Sequence, residues 1–247
     1  MTLLKAMIQP ISGYFFKSLL FGLFCCYSLS TTLAQENTIP PPKPKKEKKE
    51  WAPLYFTGAR VGIELLHLAE SVLGSDRSGF EINADATVNN KYFFVVDFGL
   101  ERYRRSDPAN SYEYTNTGQY LRVGLDYNLL HKKTDDEAVS FGLRFANANF
   151  RHEIAYELTD SFWGEFEGNA QERGLSANWV EVVASFKVRL LKNLYLSPNF
   201  RIKFLAGTNG DTLIQTADIP GYGVAKSSTR ASVNYSLLYR LPFGIKN

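Results

Sequence analysis

The chain has 247 residues, a formal net charge of +3 and two cysteines; 14% of it is aromatic and 21% is charged. A mean hydropathy of -0.21 excludes a bundle of membrane-spanning helices, each of which needs a run of about 20 apolar residues. The near balance of charge excludes a strongly basic nucleic-acid binder, and two cysteines exclude a disulfide scaffold or a multi-cysteine metal centre.

Residues 1–34 read as a secretory signal peptide. Lys5 and Lys17 precede an apolar stretch from Leu19 to Tyr27, and the small residues Thr32 and Ala34 fit cleavage after Ala34. An uncleaved inner-membrane anchor and a lipoprotein signal are the alternatives, although Leu23 and Phe24 stand where a lipobox needs small residues. Both cysteines leave with this segment, so the mature chain has no thiol chemistry. Residues 35–50 carry five Lys, three Glu and four Pro without an aromatic. They bury nothing and read as a disordered tether in the periplasm.

Residues 51–247 form the third segment, with 21 basic and 22 acidic side chains. From Tyr55 onward apolar and polar residues alternate, as in Phe80-Glu81-Ile82-Asn83-Ala84-Asp85, and no helical stripe is sustained. The alternation predicts eight strands, near 54–67, 79–89, 91–103, 118–130, 138–152, 178–191, 194–206 and 227–243. Most exceed the five or six residues usual in soluble domains and match the roughly 9–11 needed by a tilted membrane-spanning strand. Short connections at 89–91, 131–137 and 191–193 alternate with long ones at 68–78, 104–117, 153–177 and 207–226. That rhythm predicts an all-β, eight-stranded antiparallel up-and-down transmembrane barrel, with the long loops outside the cell.

One face of these strands carries Arg60, Glu64, Glu81, Asp85, Asp97, Glu101, Arg122, Asp126, Arg144, Glu181, Lys187, Arg189, Arg201, Lys203 and Arg240. These eight bases and seven acids are expected to pair in the lumen of a narrow barrel and to plug it. The other face is apolar. Trp51, Tyr55, Tyr92, Phe94, Tyr127, Tyr195, Tyr239 and Phe243 are expected to girdle the periplasmic edge; Tyr103, Tyr112, Tyr114, Tyr120, Trp163, Phe166 and Trp179 lie toward the outer rim. A soluble sandwich or lipocalin-like barrel would alternate too, with the faces exchanged. Parity alone does not say which face is inside; strand length, the export signal and the aromatic last strand favour the membrane.

With the signal ending Leu33-Ala34-Gln35-Glu36, the Pro/Lys tail and the closing Tyr235-Ser236-Leu237-Leu238-Tyr239-Arg240-Leu241-Pro242-Phe243, the chain resembles the small outer-membrane barrels of the Bacteroidota. More distantly it is similar to the OmpA and OmpX barrel type. The resemblance covers residues 51–247 and implies insertion by the barrel-assembly machinery through the last strand. Gly244-Ile245-Lys246-Asn247 extend past the terminal aromatic where such signals usually end.

Three histidines are the only bases for a hydrolase or acyltransferase. His131 lies in a polar turn; His67 and His152 fall at the outer rim and are the catalytic candidates. No phosphate loop, dinucleotide pattern or metal-ligand spacing occurs, so neither cofactor nor metal is expected. In the longest loop Phe162, Trp163, Glu165 and Phe166 are candidates for contact with a partner. The expected function is a non-enzymatic structural or binding protein of the outer membrane, in contact with lipid, lipopolysaccharide and an unknown envelope protein. The alternatives are a lipid-modifying enzyme, a narrow pore, or an accessory subunit of a secretion machine.

Overall fold

The computed structural model describes residues 53–107, 111–132, 137–160, 164–210 and 214–242. The predicted signal peptide (1–34), the tether (35–50) and Phe243 lie outside them. In chain order the elements are β1 (Phe56–Glu64), α1 (Leu65–Val72), β2 (Arg77–Val88), β3 (Tyr92–Asp107), β4 (Tyr112–Asn128), β5 (Ala138–Asp160), β6 (Gly164–Leu191), β7 (Leu194–Asn209), β8 (Asp218–Ile219), β9 (Gly223–Val224) and β10 (Thr229–Arg240). All but α1, β8 and β9 belong to one closed antiparallel barrel, in which consecutive strands pair and β10 returns to β1.

Local chemistry sets the register. Asn89 and Asn90 both take φ of 53°, and the Lys91 amide donates to the Val88 carbonyl. This is a tight turn over Asn89, Asn90 and Lys91, and Asn tolerates the left-handed geometry of its two central residues. It locks Val88 opposite Tyr92. At the other end of β1, the Glu64 carboxylate accepts from the His67 amide at 2.6 Å and caps α1. The ring closes with Arg60 opposite Arg240 and Glu64 opposite Ser236.

The faces left open by parity are now assigned. On β3, Phe94, Val96, Phe98 and Leu100 are exposed while Phe93, Val95, Asp97 and Glu101 are buried. On β5, Phe141, Leu143 and Phe145 face out and Ser140, Arg144 and Ala146 face in. The charged face is the interior and the apolar face the exterior.

Three expectations need correction. The region read as the end of strand one is the helix α1. The predicted loops 104–117 and 153–177 are largely strand, since β3 runs to Asp107, β4 starts at Tyr112, β5 runs to Asp160 and β6 starts at Gly164. There the outward positions turn polar, so the alternation fades from the sequence while the hydrogen-bonded ladder continues. The predicted loop 207–226 is not wholly an outer loop: its β8–β9 hairpin enters the barrel, with Ile219 and Tyr222 buried. Among the described residues no helix is long and apolar enough to cross a membrane.

Candidate functional site

The lumen is filled by side chains bonded across it. Arg122 on β4 bridges Glu81 on β2 at 2.7 Å and Glu181 on β6 at 3.0 Å. Arg144 on β5 reaches Asp97 at 2.6 Å and Asp126 at 3.3 Å. Arg201 on β7 lies 3.4 Å from Asp97 and 3.6 Å from Glu81. Nearer the short turns, Asp85 holds Arg60 at 3.0 Å and Lys187 at 2.9 Å. All of these residues are buried, and so are Glu64, Glu101 and Lys203. Small residues opposite make room: a side chain at Gly124 would strike Arg144, and one at Gly142 would strike the Asp126 carboxylate. Buried ions are tolerated only when partnered, and here most arginines contact two or more acids. Arg240 is half-buried at the turn end, near the Thr57 carbonyl. Arg189 is a correction: it is exposed, beside an irregularity in the β6–β7 pairing between Arg189 and Leu191, where the strand leaves the filled part of the barrel.

Above this network sits a second seal that the sequence reading missed. The β8–β9 hairpin packs Ile219 and Tyr222 against Tyr120, Phe150, Leu175 and Trp179. The Tyr222 and Trp179 rings meet edge-to-face at 5.8 Å. Gly221, at φ of +76°, lies on the Tyr120 ring, where any Cβ would come within 2.6 Å of it. Its amide donates to Glu101 at 2.8 Å; its carbonyl accepts from Arg122 at 2.8 Å and Lys203 at 2.7 Å. Arg77 joins Glu101 to Asp218, and Asn116 donates to the Asp218 carbonyl. Burial, with the Glu101 charge adding to it, pushes the Asp218 carboxyl up to about 6 against the opposing pull of Arg77. Alternation marks neither Arg77 nor Asp218; the signal for the hairpin is Asp218-Ile219-Pro220-Gly221-Tyr222-Gly223, apolar residues spaced by turn formers.

Tyr120, Tyr114 and Trp179, placed at the outer rim by the sequence reading, and Tyr195, placed in the girdle, are buried inward. Parity puts them on the lumen face. Tyr92, Phe94, Tyr127 and Tyr239 are on the outer face or at its edge.

The two candidate histidines are not brought together. His67 on α1 lies 3.2 Å from Glu64 and 3.9 Å from Glu81. Burial lowers its basicity, yet the Glu64 hydrogen bond and the Glu81, Glu101 and Glu64 charges outweigh this, so its pKa is raised. His152 is fully buried, with Nε2 at 2.9 Å from Glu172 and Nδ1 at 3.3 Å from the Tyr114 hydroxyl. Both ring nitrogens are engaged. The Glu172 carboxylate also accepts from the Ile214 amide at 3.3 Å, so His152 helps tie the segment before β8 to the long strands. Among the described residues no group of three potential metal ligands occurs. Of the loop candidates, Phe162 and Trp163 lie outside the described residues, Glu165 stands in β6, and Phe166 is exposed.

Beyond the barrel, β3 to β6 continue as a four-stranded extension with different faces. Its outer face carries Arg102, Arg104, Glu113, Arg151, Glu153, Glu157 and Glu167. Its inner face carries Tyr112, Tyr114, Ile154, Tyr156 and Ala170, which with Ile214 and Ala217 line a cleft of about 500 Å³. The Tyr156 ring lies over Gly168, its partner across the strands.

In fold the chain is similar to several solved structures. CarO2 of Acinetobacter baumannii aligns at a TM-score of 0.42 and 10% identity over 76% of this chain and 100% of that one. A major outer membrane protein from Thermus thermophilus aligns at 0.43 and 11%, over 75% and 100%. Ail, the attachment invasion locus protein of Yersinia pestis, aligns at 0.38 and 7%, over 74% and 97%. No curated protein matches the sequence. A family described as a domain of unknown function (DUF6048) matches residues 14–246, and the chain belongs to that family.

Proposed function

We propose that this chain is a non-enzymatic outer-membrane barrel that seals its own lumen and presents the extension of β3–β6 to the cell exterior for binding. The observation that carries the reading is the inside-out distribution of its faces. An apolar belt exposed all round a closed barrel with a charged interior is unfavourable in water and favourable in lipid. The upper limit of the belt is ordered. Its last outward apolar residues are Leu100 on β3, Leu121 on β4 and Phe145 on β5. Leu100 pairs with Gln119, two residues past Leu121, and Leu121 pairs with Asn147, two past Phe145. A boundary that steps through the register in this way is a plane crossing tilted strands, as the surface of a bilayer would be.

In this reading residues 1–34 direct export and are removed, and residues 35–50 are a periplasmic tether. The charge network and the β8–β9 hairpin are two seals in series, which favours a closed barrel over a pore. Residues 51–247 should float with liposomes after refolding and migrate as a compact, heat-modifiable band in detergent gels. A monodisperse, detergent-free solution of the same residues would overturn the membrane reading. Planar-bilayer recordings should show little conductance, and a stable large one would overturn the sealed lumen.

A further inference from the structure

We propose that the open edge of β6, from Glu167 to Gln171, docks an extended, basic segment of a partner protein as an added strand. The inference names the partner for the extension and rests on the reading that this region stands outside the membrane. Its starting point is one hydrogen bond. The Glu157 amide donates to the Ser111 carbonyl at 2.9 Å, so the main chain of Glu157 faces the β4 side. In an antiparallel ladder the N–H and C=O of a residue point the same way, and successive residues alternate. Glu157 and its cross-strand partner Glu167 therefore form a non-hydrogen-bonded pair. Glu167 turns its amide and carbonyl away from β5, and by alternation so do Asn169 and Gln171. Pairing of β6 with β7 begins only at Ser176 opposite Asn209. Among the described residues, no strand covers these groups. Such an edge is a template for another strand.

The side chains on this edge choose the occupant. Non-hydrogen-bonded partners are the closer kind, with Cα atoms about 4.5 Å apart, and like charges placed so are destabilising. Glu157 and Glu167 are such a pair, both exposed. The extension's ion pairs are Arg104–Glu113 and His152–Glu172, and among the described residues neither carboxylate of the Glu157–Glu167 pair joins them. A strand added along β6 would place a side chain directly beside Glu167 on the same face. A lysine or arginine there would neutralise the repulsion, while an acidic segment would aggravate it. A second copy of this edge would bring its own Glu167 into the same field. The edge is thus open in its main chain and selective for cations at its Glu167 end; at the other end Arg173 donates to Gln171 at 2.9 Å.

The test uses the whole mature chain in detergent micelles and a short synthetic peptide alternating Thr with Lys, with Thr/Gln and Thr/Glu counterparts. The Thr/Lys peptide should slow hydrogen exchange at the amides of Glu167, Asn169 and Gln171, and the Thr/Glu peptide should not. Glu167→Gln should weaken Thr/Lys binding about threefold to fivefold, the range of an exposed ion pair. Asn169→Pro removes an edge N–H at a position where an edge strand accepts proline, and should abolish protection. As a variant independent of backbone effects, Glu167→Lys should reverse the preference toward the Thr/Glu peptide. Unchanged exchange at saturating Thr/Lys peptide, equal binding of all three peptides, or concentration-dependent dimerisation lost in Asn169→Pro would each overturn the proposal. Liposome insertion measured in parallel separates the two readings: a chain that inserts but ignores the peptide refutes only the edge, and one that binds the peptide but does not insert refutes only the membrane reading.

Discussion

Strands β3 to β6 pass through two regions, and the same ladder serves opposite ends in each. Within the belt, outward Phe94, Val96, Phe98 and Leu100 are apolar and inward Asp97 and Glu101 are charged. Two residues further on, β3 presents Arg102 and Arg104 outward, and its inner neighbours on β4 are Tyr112 and Tyr114. Backbone pairing is uninterrupted from Tyr92–Tyr127 to Asp107–Tyr112. Between β3 and β4 the strand geometry therefore does not mark the boundary, and the solvent that each face meets does; between β5 and β6 a register shift at Phe150/His152 falls there as well. In the belt electrostatics is internal and held by multiple partners. In the extension the Arg104–Glu113 pair is external and screened by water, while His152–Glu172 is turned inward and buried.

The first way to break this comparison is to remove a cation from each region. Arg122→Ala takes the nearest cation from Glu81 and Glu181, leaving them Arg201 at 3.6 and 3.7 Å, and should cost about 3 kcal/mol. Arg104→Ala removes the exposed Arg104–Glu113 pair and should leave the unfolding midpoint where it is. Urea titration of the refolded protein reads both, and equal shifts would erase the distinction. Adding a cation to the outer face is the converse. Leu143→Arg, in the belt, should cost about 2–4 kcal/mol if lipid surrounds it. Thr115→Arg, on the same face of the extension, should fall within about 0.5 kcal/mol of zero. A harmless Leu143→Arg would count directly against a lipid-facing belt.

The belt was legible in the sequence because membrane and lumen demand different side chains at every second position. Arg122 and Asp126 flanked by Leu121, Val123 and Leu125 can have only one strand register. The extension was not legible, because Arg102-Tyr103-Arg104 and Thr115-Asn116-Thr117 look polar throughout. Only the tertiary ladder makes them strands. The lumen hairpin was harder still. Ile219 and Tyr222 are isolated apolar residues among turn formers, with no period to reveal that they are buried. His152 gave no hint that Glu172, on the next strand, would engage it. Arg189 shows the opposite failure: parity assigned it inward, but the filled interior ends before it.

The hairpin seal belongs to neither region and gives predictions of intermediate size. Gly221→Ala would need a left-handed backbone and a Cβ against the Tyr120 ring. The backbone conformation alone costs about 1–2 kcal/mol, and the barrel should stay closed while the Gly221 amide loses exchange protection. Unaltered protection would show that the hairpin is not held there. The same seal should depend on pH through Asp218, whose carboxyl is raised to about 6 from an ordinary 3.8. A raised carboxyl favours docking with the proton on. Hairpin protection should be greatest below about pH 4, fall as the pH rises through about 6 and level off above. Asp218→Asn should flatten that profile, and an unchanged profile would assign the dependence to another group.

The smallest effect is the one whose sign differs most sharply between the regions. Glu157 and Glu167 face each other as a close, like-charged pair on the outside of the extension. Neutralising one of them removes repulsion and strands no partner, so Glu157→Gln should stabilise the β5–β6 hairpin by about 0.5 kcal/mol. Asp126 is also a carboxylate on a barrel strand, but it is buried against Arg144 at 3.3 Å, so Asp126→Asn should destabilise. Thermal unfolding of the two variants, at low salt and again at high salt, checks both signs. The Glu157→Gln gain should shrink as salt screens the exposed pair, while the Asp126→Asn loss should persist. Two carboxylate-to-amide changes of the same sign, or of the same salt dependence, would mean that the extension shares the electrostatics of the lumen.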